Sequence, residues 1–553
     1  MTSLTGDGVL RQTPIKADNS CGACYSERFL KHDHPKGVNR LVFQSILFES
    51  DEPIAEADKN VSTPPDFFHD LNLDQIIDTM LTEAKNFHLK PFFYIPLKRV
   101  SAIKYRHEIF QDLEKASLFE SIRSFSEKME AMRRTLTMIE SLCYKYHKEG
   151  WFLEAVESYC EAVNGLVIDL SSENLKSRGL KRLLQYLRDY AGSSYFTSLF
   201  ADTKKLKAAL SAVKYCILIK DNLFKIQKYD NEIDYAPEIE KTFARFKQQT
   251  AKDYRIHFPG GTGMNHITAK ILDFVAKLYP DIFSSLDAYC QTYAGFLNEK
   301  IDVFEREVQF YIAYLSYMEI FKRYSLPFCY PNISDSGKDV YNQEGFDLAL
   351  AQKCIQEKIP IVCNDFHLKG NERLFVVSGP NQGGKTTFAR TFGQLHYLAC
   401  LGCPVPGRSS QLFLFDQIFT HFEKQEKFEN QRGKLQDDLI RIHAILDKST
   451  SKSIIILNEI FSSTTLKDAV YLGKKVLEKM IDLDVLGVCV TFVDEWASLS
   501  DKTVSMVSSI DPDRPTLRTY KILRKPPDGL AYALSIAAKH RVTYHCLKER
   551  IPS

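Results

Sequence analysis

Residues 374–387 read Leu-Phe-Val-Val-Ser-Gly-Pro-Asn-Gln-Gly-Gly-Lys-Thr-Thr, and no other stretch restricts the fold of this chain so tightly. The segment fits the spacing G-x-x-x-x-G-K-[ST] through Gly379, Pro380, Asn381, Gln382, Gly383, Gly384, Lys385 and Thr386, with Thr387 beyond. In a loop of this type backbone N–H groups cradle phosphate, the lysine reaches the β- and γ-phosphates, and the hydroxyl holds Mg²⁺. Phe375 to Ser378 predicts a buried strand. Phe388 to Leu401 predicts a helix whose positive N-terminal end faces the anion. A plain glycine turn would need neither flank.

A site of this kind requires a carboxylate at the end of a neighbouring strand. Ser453-Ile-Ile-Ile-Leu-Asn458-Glu459 supplies one about 70 residues downstream. The apolar run predicts a buried strand and leaves Glu459 at its carboxyl edge, where α/β sheets place ligands. Glu459 can polarise an attacking water beside the electrostatic clamp of lysine and metal. An ordinary strand-end acid is the alternative.

The rest of the chain sets the frame. Its 553 residues leave room for about three or four domains. With 44% hydrophobic and 26% charged residues and a net charge of +2, it reads as a folded protein without a global polyanion-binding signature. The 13 cysteines are odd in number and mostly in apolar settings, which implies reduced thiols and a cytoplasmic location. No run of 18 apolar residues is present, and the N-terminus has no apolar signal core, so no membrane partner is expected.

Residues 1–65 read as a loosely structured leader with one strand at Leu41 to Leu47. Within it, Cys21, Cys24, His32 and His34 could form a zinc set, but the second pair is too close for a usual C₂H₂ arrangement. Cys400-Leu-Gly-Cys403 is read as packing at the end of the loop's helix. From Asp70 to Tyr190 the pattern is helical. Leu118, Ile122, Phe125, Met129, Met132, Leu136 and Ile139 form a core seam.

Val213 to Lys228 alternates apolar and polar residues on both sides of Asp221-Asn222, which predicts a hairpin. Lys204, Lys205, Lys207, Lys214, Lys220, Lys225 and Lys228 outnumber Asp202 and Asp221 there. Lysines at alternate strand positions share a face, which suits either phosphate contact or a solvated strand surface. Further on, Ile301, Phe304, Val308, Ile312, Leu315 and Met318 mark one apolar helix face flanked by Glu305, Arg306 and Glu307.

At the loop itself, Gly379-Pro-Asn-Gln-Gly-Gly-Lys-Thr-Thr resembles the Walker A motif of the MutS family. Pro360 to Leu368 resembles the segment that wraps adenine and ribose there, and this implies nucleotide contacts for Ile361, Val362 and Asn364. Asn458 to Asp468 resembles the Walker B strand and its following loop. The motifs span residues 360–500, with weaker similarity back to about residue 65.

The resemblance implies ATP and Mg²⁺ as cofactors, with Thr386, Asn458 and Glu459 near the metal. It makes the 213–228 region similar to a small clamp that grips DNA backbone, through Lys214, Lys220, Lys225 and Lys228. The 301–318 helix is similar to the family's lever helices. Glu429 to Asp438, opening a helix over Leu435 to Leu446, matches a loop that reaches the partner's γ-phosphate across a dimer. Its usual Ser-Thr pair appears here as Gly433-Lys434. The Gly433 N–H and the Lys434 ammonium are the expected replacements, against a plain basic helix cap. Gly529 to His540 resembles a terminal helix that completes the dimer surface.

Three departures stand out. Asn458 replaces the usual metal-holding acid and attracts a cation less. Phe492 follows Thr491 where the family has histidine, and it can neither accept a proton nor hydrogen-bond a phosphate. The aromatic usual at position 361 is isoleucine. The family's Phe-x-Glu mismatch reader has counterparts only at Phe125 and Phe152, both in helical context, so a MutS-like ATPase without that N-terminal domain is expected.

The fold expected is multidomain: an α-helical core and lever with a small β clamp, joined to an α/β P-loop ATPase domain of ABC type. The boundaries are leader 1–65, helical core 66–200, clamp 201–260, lever 261–340 and ATPase with dimer surface 341–553. The expected function is ATP-dependent binding of double-stranded or branched DNA by a homodimeric clamp with slow hydrolysis, in repair or recombination alongside an unknown repair protein. Lys385 and Glu459 would be its catalytic pair. A non-catalytic ATP-switched scaffold is the alternative, and a P-loop protein unrelated to DNA a third.

Overall fold

The computed structural model describes residues 43–49, 63–82, 84–220, 223–231, 264–423, 433–510, 518–527, 537 and 541–551. The zinc candidates, the turn at 221–222 and most of the expected terminal helix lie outside them. The chain divides into two compact units, one of Met1–Leu41, Ile122–Asp169 and Tyr186–Glu299, the other of Val42–Ser121, Leu170–Gln185 and Lys300–Ser553. Among the described residues no helix is long and apolar enough to cross a membrane.

In the first unit, parts of the helices Ala116–Ser141 and Lys145–Ser172 accompany Ser194–Ser211, His266–Leu278 and Pro280–Thr292. The seam reads as expected from Ile122 to Met132, all buried, then fades to half-buried at Leu136 and Ile139. Phe152, Tyr159, Phe196, Tyr289 and Phe296 interlock edge to face. Their hydroxyls are satisfied: Tyr159 Oη lies 3.1 Å from Tyr190 Oη, and Tyr289 Oη 2.6 Å from the Thr203 hydroxyl. Ser193 starts the helix Ser194–Ser211 by accepting the Phe196 N–H at 3.2 Å.

The predicted hairpin is present as antiparallel β1 (Tyr215–Lys220) and β2 (Leu223–Lys228). Its register corrects the expected single basic face. Lys225 pairs with Leu218 and Lys228 with Tyr215, so strand alternation puts these two lysines on opposite faces. They stand three positions apart, and only an even spacing shares a face. The Lys228 ammonium lies 4.9 Å from the Tyr279 ring centroid. Lys214 and Lys225 are exposed, Lys220 ends β1, and Lys207 is tied to Glu154 and Glu157.

The second unit holds the remaining strands: β3 (Phe328–Cys329), β4 (Asn332–Ser334), β5 (Val340–Gly345), β6 (Asn364–Leu368), β7 (Leu374–Ser378), β8 (Val405–Pro406), β9 (Ser409–Phe413), β10 (Ile418–His421), β11 (Ile454–Asn458), β12 (Leu486–Val490), β13 (Thr503–Ile510) and β14 (Arg518–Arg524). The main sheet runs β10-β11-β12-β7-β13-β14, with the first five parallel and β14 antiparallel. Strands β7 and β12 are buried at every position, and β11 is buried up to Asn458, as near-continuous apolar runs require when helices cover both faces. Two smaller sheets, β3-β8 and β4-β9-β5-β6, accompany it.

The helix Lys385–Cys400 leaves β7 and is buried along almost its whole length. Upstream chain holds its far side. Arg390 Nε donates to Asp70 O at 2.9 Å, Gln394 Nε2 to Leu71 O at 2.8 Å, and Tyr397 Oη to Phe93 O at 2.7 Å. Arg106 Nη1 donates to Leu401 O at 2.7 Å. Cys400 and Cys403 are fully buried free thiols in this packing.

Two expectations change here. Residues 43–49 form bends and not the predicted strand. They make no sheet pairing because side chains of other helices take their polar groups: Glu307 accepts from Ser45 Oγ at 2.6 Å and Ile46 N at 2.8 Å, and Tyr311 Oη donates to Ile46 O at 2.6 Å. The helix Glu299–Lys322 has no polar flank at Glu305 and Glu307, which are both buried.

Candidate nucleotide-binding site

Strand β7 ends at Ser378, and the chain turns through Gly379 (φ +116°), Gln382 (φ +58°) and Gly384 (φ +92°) before the helix begins at Lys385. Glycine is needed at the first turn for space as well as conformation. A Cβ on Gly379 would come within 3.1 Å of the Ser508 backbone. Ser508, on β13, also donates its hydroxyl to Gly383 O at 2.7 Å and so props the loop from below. Asn381 and Gln382 are exposed at its tip. The N–H groups of the first helical turn have no partner within their own helix, so this end presents donors and positive partial charge.

Lys385 is only 4% exposed. Its ammonium donates to Gly379 O at 2.9 Å and Pro380 O at 3.2 Å and lies 4.2 Å from the centroid of the Phe492 ring. Burial pushes its pKa down, Glu459 opposes that shift, and Arg518 adds to it.

The two predicted motifs meet at Thr386. Its hydroxyl donates to Asn458 Oδ1 at 2.9 Å across 72 positions of sequence. Strand β11, which carries Asn458 and Glu459, is not the neighbour of β7 that the sequence suggested, because β12 lies between them. The 27 residues separating β11 from β12 return the chain as a parallel partner through the helix Leu466–Asp482. Glu459 adopts φ +55° and donates its N–H to Val490 O at 2.9 Å. It is half-buried, and burial raises its pKa. Lys385 pulls the value down while Glu423 pushes it further up. A carboxyl raised this way is a stronger proton acceptor than an ordinary surface carboxylate. Asp468 has a local task, sharing a reciprocal cap with Thr465 at the start of its helix.

On the other side of the loop, a cavity of about 280 Å³ is lined by Ile361, Val362, Asn364, Gly384, Thr387 and Tyr520, and walled by the helix Leu348–Glu357. Asn364 acts as a bracket: its Nδ2 donates to Tyr520 O at 3.1 Å and its Oδ1 accepts Ile522 N–H at 2.8 Å. That fixes β14, and with it Tyr520, whose φ of +57° departs from strand geometry. No local motif marks Tyr520 or Ser508, since each arrives on a strand more than a hundred residues downstream of the loop.

These groups fit a nucleoside triphosphate: a glycine cradle that a Cβ would fill, a buried lysine, and an open cleft that meets the loop at Gly384 and Thr387. The paired oxygens of Thr386 and Asn458 suit a Mg²⁺ ion that is held mainly by phosphates and water. Among the described residues no group of three or more His, Cys, Asp or Glu could hold a metal alone. Gly433 and Lys434 start the helix Lys434–Lys448, and Lys434 is ion-paired with Glu423.

Residues 375–542 match the profile of MutS domain V. The endonuclease MutS2 of Gemmatimonas aurantiaca is 30% identical over 199 residues, 35% of this chain and 24% of that protein. The DNA mismatch repair protein MutS of Fervidobacterium nodosum is 24% identical over 230 residues, 41% of this chain and 27% of that one. The DNA mismatch repair protein MSH3 of Yarrowia lipolytica is 28% identical over 206 residues, 36% and 20% of the two chains. This chain therefore spans about a quarter of the length of the curated relatives it matches. Over residues 375–542 the chain thus carries a MutS-type domain V.

Proposed function

We propose that this chain binds ATP with Mg²⁺ at the 379–387 loop, hydrolyses it slowly, and uses the cycle to control a dimeric grip on DNA. The observation that carries this reading is the hydrogen bond between Thr386 and Asn458, which joins the loop to the strand end bearing Glu459. Lys385 and the N–H groups of the first helical turn would hold the phosphates, Ile361, Val362 and Tyr520 the base, and Asn364 would keep that wall in place. Mg²⁺ neutralises developing charge on the transferred phosphoryl group when bound. Glu459 would orient the attacking water and receive its proton. The uncharged Asn458 and the apolar Phe492 account for slow turnover, since neither adds charge or a proton acceptor where hydrolysis would use one.

The names of the aligned relatives, mismatch repair proteins and an endonuclease, make DNA the first polymer to test. The exposed Lys214 and Lys225 on the hairpin are the candidate backbone contacts, with Lys220 at the end of β1. Gly433 and Lys434 are the candidate contacts to a second copy. Domain boundaries as read from the sequence belong to the same proposal.

The second reading is an ATP-switched scaffold without turnover, favoured by the same two residues, Asn458 and Phe492. Nucleotide binding and turnover by Lys385→Ala and Glu459→Gln variants separate the readings. An ATPase loses binding with the first, and with the second it loses its rate and retains ATP. A switch loses binding with the first and is unaffected by the second. Wild-type protein that fails to bind ATP with magnesium, or a Lys385→Ala form that binds as well as wild type, overturns both.

A further inference from the structure

Phe492 lies one residue beyond the buried Thr491, whose N–H donates to Val377 O at 3.0 Å, and one before the buried Val493. The backbone is therefore fixed on both sides, at the end of β12 between the Glu459 strand and the loop strand. Phe492 itself is 52% exposed, an apolar ring left half in water at the most polar edge of the sheet. Burial does not explain that placement. The ring lies 4.2 Å, centroid to nitrogen, from the Lys385 ammonium, at a distance where the negative ring face attracts a cation.

An ammonium group has three donor hydrogens. Lys385 directs donors at the Gly379 and Pro380 carbonyls, and the ring takes up the cation from the side. The lysine is thus fully engaged by its own protein. A phosphate oxygen must compete with those carbonyls and with the ring for the same charge.

We propose that Phe492 is a positioning residue that sets nucleotide affinity, its ring holding Lys385 against the loop carbonyls so that a phosphate must displace this contact to engage the lysine. The proposal rests on the nucleotide reading of the loop. Phe492 does not itself touch the phosphates. It acts through Lys385, and its effect follows the strength of ring–cation attraction. That attraction is greatest for an indole, less for a phenyl ring, and absent for an aliphatic group of similar bulk. The contact lies at a partly desolvated lysine, so its removal shifts affinity by between about twofold and thirtyfold.

The test is calorimetric titration of Mg·ATP into the full chain as wild type, Phe492→Leu and Phe492→Trp, with Lys385→Ala as control. Leucine is expected to tighten ATP binding within that range and tryptophan to weaken it. The melting temperature without added nucleotide should move little, because the side chain is half-exposed. Opposite shifts for the two variants are the diagnostic, since mere damage to the site would weaken both. Equal affinities across the series, or shifts of the same sign, overturn the proposal while leaving the nucleotide site intact. Loss of ATP binding by wild type itself removes the nucleotide reading and this inference together.

Discussion

Asn458 accepts a hydrogen bond from Thr386 and carries no charge to offer a cation. Replacing it with aspartate changes little in volume and adds one negative charge beside the hydroxyl. At an effective dielectric constant near 20, a unit negative charge 4 Å from a divalent cation is worth at most roughly 8 kcal/mol, and solvent reduces this. Asn458→Asp is therefore expected to lower the Mg²⁺ concentration that half-saturates ATP binding by at least about fivefold. A magnesium titration at fixed ATP measures it, and an unchanged midpoint would place the metal elsewhere. At this scale much of the candidate site was legible in advance. Lys385, Thr386, Asn458 and Glu459 stand at spacings that loop and strand-end chemistry impose locally. Tyr520 and Ser508 were not legible, because nothing local marks a residue whose task comes from sheet order.

Among the elements, the hairpin shows both what periodicity reads and where it stops. Alternation located β1 and β2, and the odd spacing of Lys225 and Lys228 along β2 puts them on opposite sides; what it could not supply was the alignment of the two strands across the turn, which pairs Lys225 with Leu218. The segment 43–49 shows the converse. Its apolar residues suggested a strand, yet its polar groups are satisfied by Glu307, Tyr105 and Tyr311 on distant helices. Burial raises Glu307 to about 7, against the pull of its hydrogen bonds to Ser45, Ile46 and Leu47 and of Arg106. The folded chain thus holds this proton more tightly than the unfolded chain does. The associated stability is complete below the unfolded carboxyl value near 4.3, falls as pH rises towards 7, and is then fully lost. The shift corresponds to roughly 3 kcal/mol. Melting temperatures across pH 5 to 7.5 should decline less steeply in Glu307→Gln than in wild type, and parallel profiles would exclude this carboxyl as the source.

DNA association, if the proposed function holds, belongs to the whole molecule, which is close to neutral overall at +2. Binding then depends on where cations are placed more than on their sum. Replacing both Lys214 and Lys225 with alanine should lower the slope of log affinity against log salt by about 1.8 on duplex DNA. Lys228→Ala, whose ammonium rests over Tyr279, should leave that slope unchanged. A salt series over homoduplex, mismatched and branched DNA reads both outcomes and exposes any structural preference.

Motifs alone would suggest isolating residues 341–553 as the nucleotide domain. The helix that opens at Lys385 is anchored by Asp70, Leu71, Phe93 and Arg106, some three hundred positions earlier. A fragment cut there would expose a bare apolar flank and take the acceptors from the Arg390 and Tyr397 donors, so it would be prone to aggregate. The smallest soluble piece able to hold the loop in shape has to include the upstream helices as well.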